Sequence, residues 1–226
     1  MNILKVRQGS KEWLELRRSK IGASDAPVIM SMSPFKTEYQ LFMEKTCGIE
    51  QQVTAPMLRG HVLEERARDA FEKMTGVMVN PQVVQSNLYD WQIASLDGID
   101  CDETTLVEIK CPGKKTHEKA KDGVVPEENY PQLQHQLSVT GLDRGLYFSF
   151  DGEQGIILEV KRDDEYIYDM IKKEELFYKR MMNFDAPKLS EKDYVEIFDE
   201  DCLKVANRLK EIDVLSKSLD EEKEKL

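Results

Sequence analysis

Two short stretches, SLDG at residues 95–98 and LVEIKCP at residues 106–112, decide the fold of this chain. The second has the apolar residues of a buried strand, yet it carries Glu108 and Lys110 two positions apart. Residues at i and i+2 of a strand share one face, so these two charged side chains point together, away from their apolar neighbours. Such a pair indicates either an ordinary ion pair on a strand or a metal-dependent nuclease site.

Asp97 lies near the end of the preceding predicted strand, 11 residues before Glu108. An antiparallel hairpin would bring Asp97 back beside Glu108, where the two carboxylates repel each other unless a cation lies between them. Mg²⁺ accepts one or two carboxylates and fills its remaining positions with water and phosphate oxygens. A nearby lysine can then orient the attacking water or stabilise charge on the phosphate. The spacing therefore predicts a site for phosphodiester hydrolysis.

The Glu-x-Lys pattern recurs at Glu159 and Lys161, and again at Glu221 in the tail. The copy at Glu159 follows an Asp-Gly turn at 151–152, where an Asx-turn explains the aspartate. We interpret Glu159 and Lys161 as an exposed strand face. The first copy differs because it has an aspartate at the end of a neighbouring strand and helices able to close over it.

Two predicted helices could close over the site. The helix from about Met57 to Thr75 carries Glu64 at the border of its apolar stripe, where Glu64 is either a surface side chain or a metal ligand. In PQLQHQL at 131–137, Gln132 and Gln136 form a ridge beside the apolar one. They either flank the helix as polar residues or hydrogen-bond to a water or phosphate at the site.

The order of the elements indicates an α/β fold with a mixed β-sheet flanked by helices. Ser10, Ser24 and Thr37 are predicted helix N-caps. From residue 190 onward the chain holds 12 acidic and 7 basic side chains, and apolar residues recur at three- and four-residue spacing. We therefore predict a nuclease domain at 1–189 and an acidic helical extension at 190–226, with a seam of the kind found in coiled coils.

Composition sets further bounds. The net charge of −11 argues against nucleic-acid binding when taken alone, because phosphate contacts need Lys and Arg. Carboxylates that hold metal ions weaken that objection, since a bound metal inverts the local charge. No apolar run approaches the ~20 residues of a membrane span, and the four cysteines include no CxxC pair. We expect a reducing, cytoplasmic setting without a membrane partner.

Several motifs together resemble one family. They are W-x-x-x-R-x-x-x-I-G-A-S at 13–24, SPFKTEYQLFMEKTCG at 33–48, SLDG, VEIKCP and YPQLQ. The set resembles the PD-(D/E)xK nuclease superfamily and, more closely, the YqaJ-type phage recombination exonucleases, the family that includes phage lambda exonuclease. The resemblance covers roughly residues 6–183. The first acidic motif reads Leu-Asp where the superfamily name has Pro-Asp, and the acidic tail lies outside the resemblance.

The resemblance implies a restriction-endonuclease-like fold and Mg²⁺-dependent 5′→3′ digestion of one strand of linear double-stranded DNA, with Mn²⁺ as a substitute cation. It implies that Lys110 is the catalytic lysine and that Gln132 assists it. It also implies that four groups bind the metal: Glu64, Asp97, Glu108 and the carbonyl of Ile109.

Arg17 and Ser24 match family positions that hold the 5′-phosphate of the DNA end. The residues themselves agree, because an arginine and a serine beside backbone N–H groups make a phosphate pocket. The resemblance further implies a homotrimeric ring around DNA, a single-strand annealing protein as partner and a role in phage-type recombination in the bacterial host cytoplasm.

Three alternatives stay open at this point. A site-specific endonuclease on the same core would need base-reading elements, and no compact recognition domain is visible in the sequence. A nuclease with an iron–sulfur cluster would need four convergent cysteines. A coiled-coil scaffold would make the helical tail, rather than the motifs, the functional part.

Overall fold

The computed structural model describes residues 1–49, 54–194 and 199–223, with residues 56, 57, 61 and 221 described by their backbone alone. The third Glu-x-Lys copy, which begins at Glu221, therefore has its glutamate outside the described side chains. Parts of the predicted tail helix, at 195–198 and 224–226, also lie outside the described residues. The chain divides into two compact units, Met1–Lys188 and Leu189–Leu226.

Among its described residues, the first unit contains a seven-stranded sheet in the order β1-β3-β4-β5-β6-β7, with β2 paired to β4. Its strands are β1 Asn2–Leu4, β2 Ile21–Gly22, β3 Val79–Gln85, β4 Gln92–Asp100, β5 Leu106–Lys110, β6 Arg144–Phe150 and β7 Gly155–Lys161. The β5–β6 and β2–β4 pairs are parallel, and the other pairs are antiparallel. The predicted α/β class with a mixed sheet is confirmed.

Seven α-helices belong to the described part of this unit. They are α1 Lys11–Ser19, α2 Ala26–Ile29, α3 Glu38–Cys47, α4 Ala55–Thr75, α5 Lys114–Lys121, α6 Tyr130–Thr140 and α7 Asp164–Asn183. The predicted caps Ser10 and Thr37 are confirmed, because their hydroxyl groups accept hydrogen bonds from the N–H groups of Trp13 and Gln40. Each cap satisfies one of the N–H groups that a helix start leaves without a partner.

The predicted cap at Ser24 is wrong. Ser24 lies in a 3-10 turn, Ala23–Asp25, and the residue that precedes α2 is Asp25. The hydroxyl of Ser24 instead accepts a hydrogen bond from the Arg17 side chain. This hydroxyl is therefore committed to a side-chain partner rather than to a helix end.

Helices cover both faces of the sheet. On one face, Phe71 of α4 packs edge-to-face against Phe148 of β6, with ring centroids 5.5 Å apart, in a cluster that includes Val107. On the other face, Leu133 of α6 and Met170 of α7 are fully buried in one cluster. Because side chains alternate along a strand, Val107 belongs to the α4 face and Glu108 to the α6 face.

The second unit contains α8, Glu200–Lys223. Its apolar side chains are exposed, among them Leu209, Ile212 and Leu219. The coiled-coil pairing expected of this helix stays a prediction. None of the described helices is both long and apolar enough to cross a membrane.

Candidate active site

The site begins where β4 and β5 run antiparallel. Gly98 pairs with Val107 and Ile99 with Leu106, so Asp97 and Glu108 occupy the next positions along the two strands. The Asp97 carboxylate accepts a hydrogen bond from the N–H of Ile109, with Oδ2 and the nitrogen 2.8 Å apart. Gly98 is required by this close approach, since a Cβ there would lie 2.8 Å from Val107 Cγ1. The antiparallel pairing expected from SLDG and LVEIKCP is thus present.

Glu108 is the centre of a hydrogen-bonded cluster. Its side chain is buried, with the residue 1% exposed, and its Oε1 lies 2.5 Å from Lys110 Nζ. Gln132 Nε2 donates to the same oxygen at 2.6 Å, and Gln136 Nε2 donates to Oε2. Lys110 Nζ also donates to Gln132 Oε1 at 3.1 Å. Because Gln132 and Gln136 are four residues apart, they share one face of α6 and together hold both carboxylate oxygens.

Negative charge accumulates beside this cluster. Burial and the neighbouring Glu108 carboxylate raise the pKa of Asp97 well above its usual range, with a further contribution from Glu64. Burial alone would lower the pKa of Lys110, but Glu108 and Asp97 outweigh it and raise the pKa. Carboxylates that disfavour one another's ionised form are relieved by a cation, and their oxygens are the ligands that Mg²⁺ prefers. The donor set at Asp97 and Glu108 therefore fits a hard divalent cation.

Glu64 pairs with Arg68 rather than grouping closely with Asp97 and Glu108. It is half-buried, and its Oε1 pairs with Arg68 Nη2 at 3.0 Å along α4. The Arg68 side chain also donates to the backbone carbonyl of Asp97 at 3.2 Å. Within the described ranges, no three His, Cys, Asp or Glu side chains lie close enough to hold a metal ion together. A role for Glu64 as a ligand stays a prediction, as does that of the Ile109 carbonyl.

Arg17 and Ser24 meet in a second cluster. Arg17 Nη2 donates to Ser24 Oγ at 2.8 Å, and the guanidinium carbon lies 4.5 Å from the centroid of the Trp13 ring. Trp13 Nε1 donates to Ser95 Oγ at 2.8 Å. Ser95 precedes Asp97 by two residues on β4. This link through Trp13 and Ser95, which connects the arginine to the strand that carries Asp97, has no signal in the sequence.

A buried polar network anchors α6 to its neighbours. His135 and Glu174 are both 0% exposed, and His135 Nδ1 lies 2.7 Å from Glu174 Oε1. The other ring nitrogen lies 2.8 Å from the carbonyl oxygen of Ile93 on β4, and Gln92 donates to Glu174 at 2.9 Å. This network was not expected, although His135 lies inside the PQLQHQL motif. It fixes the helix that presents Gln132 and Gln136.

The other Glu-x-Lys copy has a different environment. Glu159 and Lys161 are exposed, and Glu159 pairs with Arg144 at 2.6 Å on the neighbouring strand. Asp151 accepts hydrogen bonds from backbone N–H groups within its own turn. The interpretation of this copy as an exposed strand face is confirmed.

Comparison with known proteins identifies the family. A family model described as the YqaJ-like viral recombinase domain matches residues 12–143, more than half of the chain. This chain is a member of the YqaJ-like viral recombinase domain family. The matched region contains all eight candidate site residues: Arg17, Ser24, Glu64, Asp97, Glu108, Ile109, Lys110 and Gln132. The resemblance to YqaJ-type proteins inferred from the motifs is confirmed.

Relatives agree with this membership. The uncharacterized protein YqaJ of Bacillus subtilis (strain 168) is 31% identical over 188 residues, which cover 79% of this chain and 58% of that relative. The chain thus spans a little over half of the relative's length. An alkaline exonuclease (LHK-Exo) from Laribacter hongkongensis has 28% identity and a TM-score of 0.67, covering 77% of this chain and 94% of that chain.

A phage related exonuclease from Haemophilus somnus 129PT has 14% identity and a TM-score of 0.53, covering 73% of this YqaJ-like chain and 96% of its own. At that identity the likeness concerns the fold alone. Together with LHK-Exo, it bears out the restriction-endonuclease-like core expected for a YqaJ-like domain.

Proposed function

We propose that this chain is a metal-dependent deoxyribonuclease that digests one strand of linear double-stranded DNA from the 5′ end and leaves a 3′ single strand. The observation that carries the proposal is the buried cluster in which Lys110, Gln132 and Gln136 all bind Glu108, beside Asp97. Family membership and 28% identity to an alkaline exonuclease support the same activity.

Asp97 and Glu108 would hold Mg²⁺, joined by the Ile109 carbonyl and by Glu64 once it leaves Arg68. Mn²⁺ offers a similar preference for oxygen ligands and would substitute. The bound cation would supply Lewis-acid polarisation of the phosphate and an activated water. Because Asp97 and Glu108 disfavour each other's charge in the absence of a cation, their proximity supports this assignment.

The chain's own groups then have distinct roles. Lys110 keeps its proton and places an ammonium group where charge develops on the scissile phosphate, or where the attacking water must be oriented. Gln132 contacts both Lys110 and Glu108, so it sets the distance between the ammonium group and the carboxylate. Gln136 holds the opposite oxygen of Glu108 from the interior.

Arg17 and Ser24 would bind the 5′-phosphate of the DNA end. The planar guanidinium suits phosphate oxygens, and stacking on Trp13 fixes its orientation. The hydrogen bond from Trp13 to Ser95 links these residues to the strand that carries Asp97, which supports digestion that starts at a 5′ end. The family resemblance supports a homotrimer around DNA and transfer of the single strand to an annealing protein during phage-type recombination in the host cytoplasm.

The test compares linear with closed circular duplex DNA, in Mg²⁺ and in EDTA. We expect digestion of the linear form in Mg²⁺ only. Asp97→Ala should abolish hydrolysis with the fold intact, since removing one of two repelling carboxylates costs the fold little. Glu159→Ala is the matched control from the exposed Glu-x-Lys copy and should be silent. Near-normal turnover by Asp97→Ala would refute the site, and digestion of closed circles would indicate an endonuclease.

A further inference from the structure

Lys45 of α3 is a buried lysine whose ammonium group has three oxygen partners within the protein. The residue is 6% exposed, and its Nζ lies 2.5 Å from Asp25 Oδ2. The same nitrogen donates to the backbone carbonyls of Arg17 at 2.6 Å and Lys20 at 3.0 Å. An ammonium group has three donors, and all three have oxygen partners here. Lys45 therefore ties Asp25 to the backbone that carries Arg17.

Asp25 is a buried carboxylate close to the Arg17 side chain. It is 3% exposed, and its Oδ2 accepts a hydrogen bond from Gly22 N at 2.7 Å. Burial acts to raise the pKa of Asp25, but Lys45 and then Arg17 outweigh it, so that the pKa lies below its ordinary value. The carboxylate is thus charged, and the Arg17 guanidinium lies within its field.

Arg17 nevertheless does not pair with Asp25. Its hydrogen bond goes to the Ser24 hydroxyl, and no carboxylate forms an ion pair with it in the part of the chain that the structure describes. If the buried Asp25 carboxylate had no other partner, it would form an ion pair with the nearby arginine, because a buried unpaired charge is costly. Lys45 supplies that other partner. The guanidinium keeps donors for an external anion.

We infer that Lys45 is a positioning residue for the 5′-phosphate pocket: it neutralises Asp25 and so keeps the Arg17 guanidinium free to bind a terminal phosphate. This inference rests on the proposed function, in which Arg17 and Ser24 hold the DNA end. Lys45 itself touches no substrate, because its three donors are already occupied inside the protein.

The experiment measures digestion of 5′-phosphorylated and 5′-hydroxyl linear duplexes by the full chain in Mg²⁺. In Lys45→Met the charge is lost, and we expect Asp25 to form an ion pair with Arg17. We expect the preference for the phosphorylated end to fall about tenfold, the scale of one charge-assisted hydrogen bond. The fall should appear as a higher KM on phosphorylated ends, with kcat and the rate on hydroxyl ends unchanged.

The double variant Asp25→Asn with Lys45→Met separates this role from simple support of the fold. It removes both charges together, so it leaves no unpaired charge in the interior and no carboxylate to compete for Arg17. We expect it to recover most of the phosphate preference. If thermal melting shows that Lys45→Met does not fold, the test rests on the double variant. Loss of the preference for phosphorylated ends in a folded double variant then overturns the inference.

Arg180→Met is the matched control, because it removes a different ion pair of α3, the 3.2 Å contact with Glu38, and should leave the preference unchanged. A folded Lys45→Met that keeps the wild-type preference overturns the inference and leaves the proposed function standing. So does a double variant as defective as the single one. If wild-type protein digests phosphorylated and hydroxyl ends equally well, Arg17 does not recognise the end. That result refutes the inference about Lys45 as well.

Discussion

The substitution Gln136→Leu tests whether Gln136 of α6 orients the Glu108 carboxylate or only packs against the sheet. Gln136 is fully buried and donates to Glu108 Oε2. A hydrogen bond to a charged group contributes about 1.5–3 kcal/mol. If that bond orients Glu108 in the transition state, its loss slows hydrolysis about 10- to 150-fold, because about 1.4 kcal/mol corresponds to a factor of ten.

The same substitution should cost the fold little. Gln136 Oε1 is buried and has no hydrogen-bond partner among the described residues. Leucine removes that unsatisfied acceptor, which returns about 1–3 kcal/mol and offsets the lost bond to Glu108. We expect the free energy of unfolding to change by less than about 1 kcal/mol. The matched control is Leu137→Ala, in the apolar core next along the helix, which should lose about 2–5 kcal/mol of stability.

The assay combines initial rates on linear duplex at saturating Mg²⁺ with urea unfolding of the same preparations. The expected pattern is a slow, stable Gln136→Leu and a destabilised Leu137→Ala whose folded fraction turns over normally. Wild-type rates for Gln136→Leu would refute the reasoning. So would a loss of stability as large as that of Leu137→Ala, because it would make the glutamine a structural residue.

Three further predictions concern other groups. Lys110→Ala should be inactive yet still bind Mg²⁺ in calorimetry, and loss of binding would contradict a role outside the ligand set. Arg17→Ala should lose about 2–3 kcal/mol on 5′-phosphorylated ends and little on 5′-hydroxyl ends, with partial rescue by Arg17→Lys; equal slowing on both ends would point to a structural role. Burial alone would lower the pKa of His135, but Glu174 raises it above its ordinary value. The stabilisation of the fold by protonated His135 is therefore complete below the unfolded pKa of about 6.5. It is lost as pH rises through the raised pKa of the folded state. Urea unfolding should show the stability gap to His135→Gln shrinking with pH, and a constant gap would argue against this.

Local sequence patterns predicted most of the helices and strands. Pairings between segments far apart in the chain were not predicted. The alternation in LVEIK predicted β5, and the caps at Ser10 and Thr37 fixed two helix starts. The strand β2 was missed because it has only two residues, and its partner strand begins at Gln92, far along the chain. A pattern that short has no period to read, so pairing alone defines it.

The candidate site shows the same division. The i, i+2 spacing placed Glu108 and Lys110 together, and the hairpin brought Asp97 to them. The role of Gln136 stayed open in the sequence, because a buried amide and a polar flank have the same spacing. The pair of Asp25 and Lys45 could not be predicted, since it joins two segments through a contact that neither segment signals.

Gly98 has a consequence for how this site tolerates change. A methyl group there would lie 2.6 Å from Val79 Cγ2 as well as close to Val107, so even alanine would force β3, β4 and β5 apart. The spacing of the two strands that carry Asp97 and Glu108 thus depends on a residue that has no side chain. Screens that mutate only charged or polar positions would overlook one of the most restrictive positions of the candidate site.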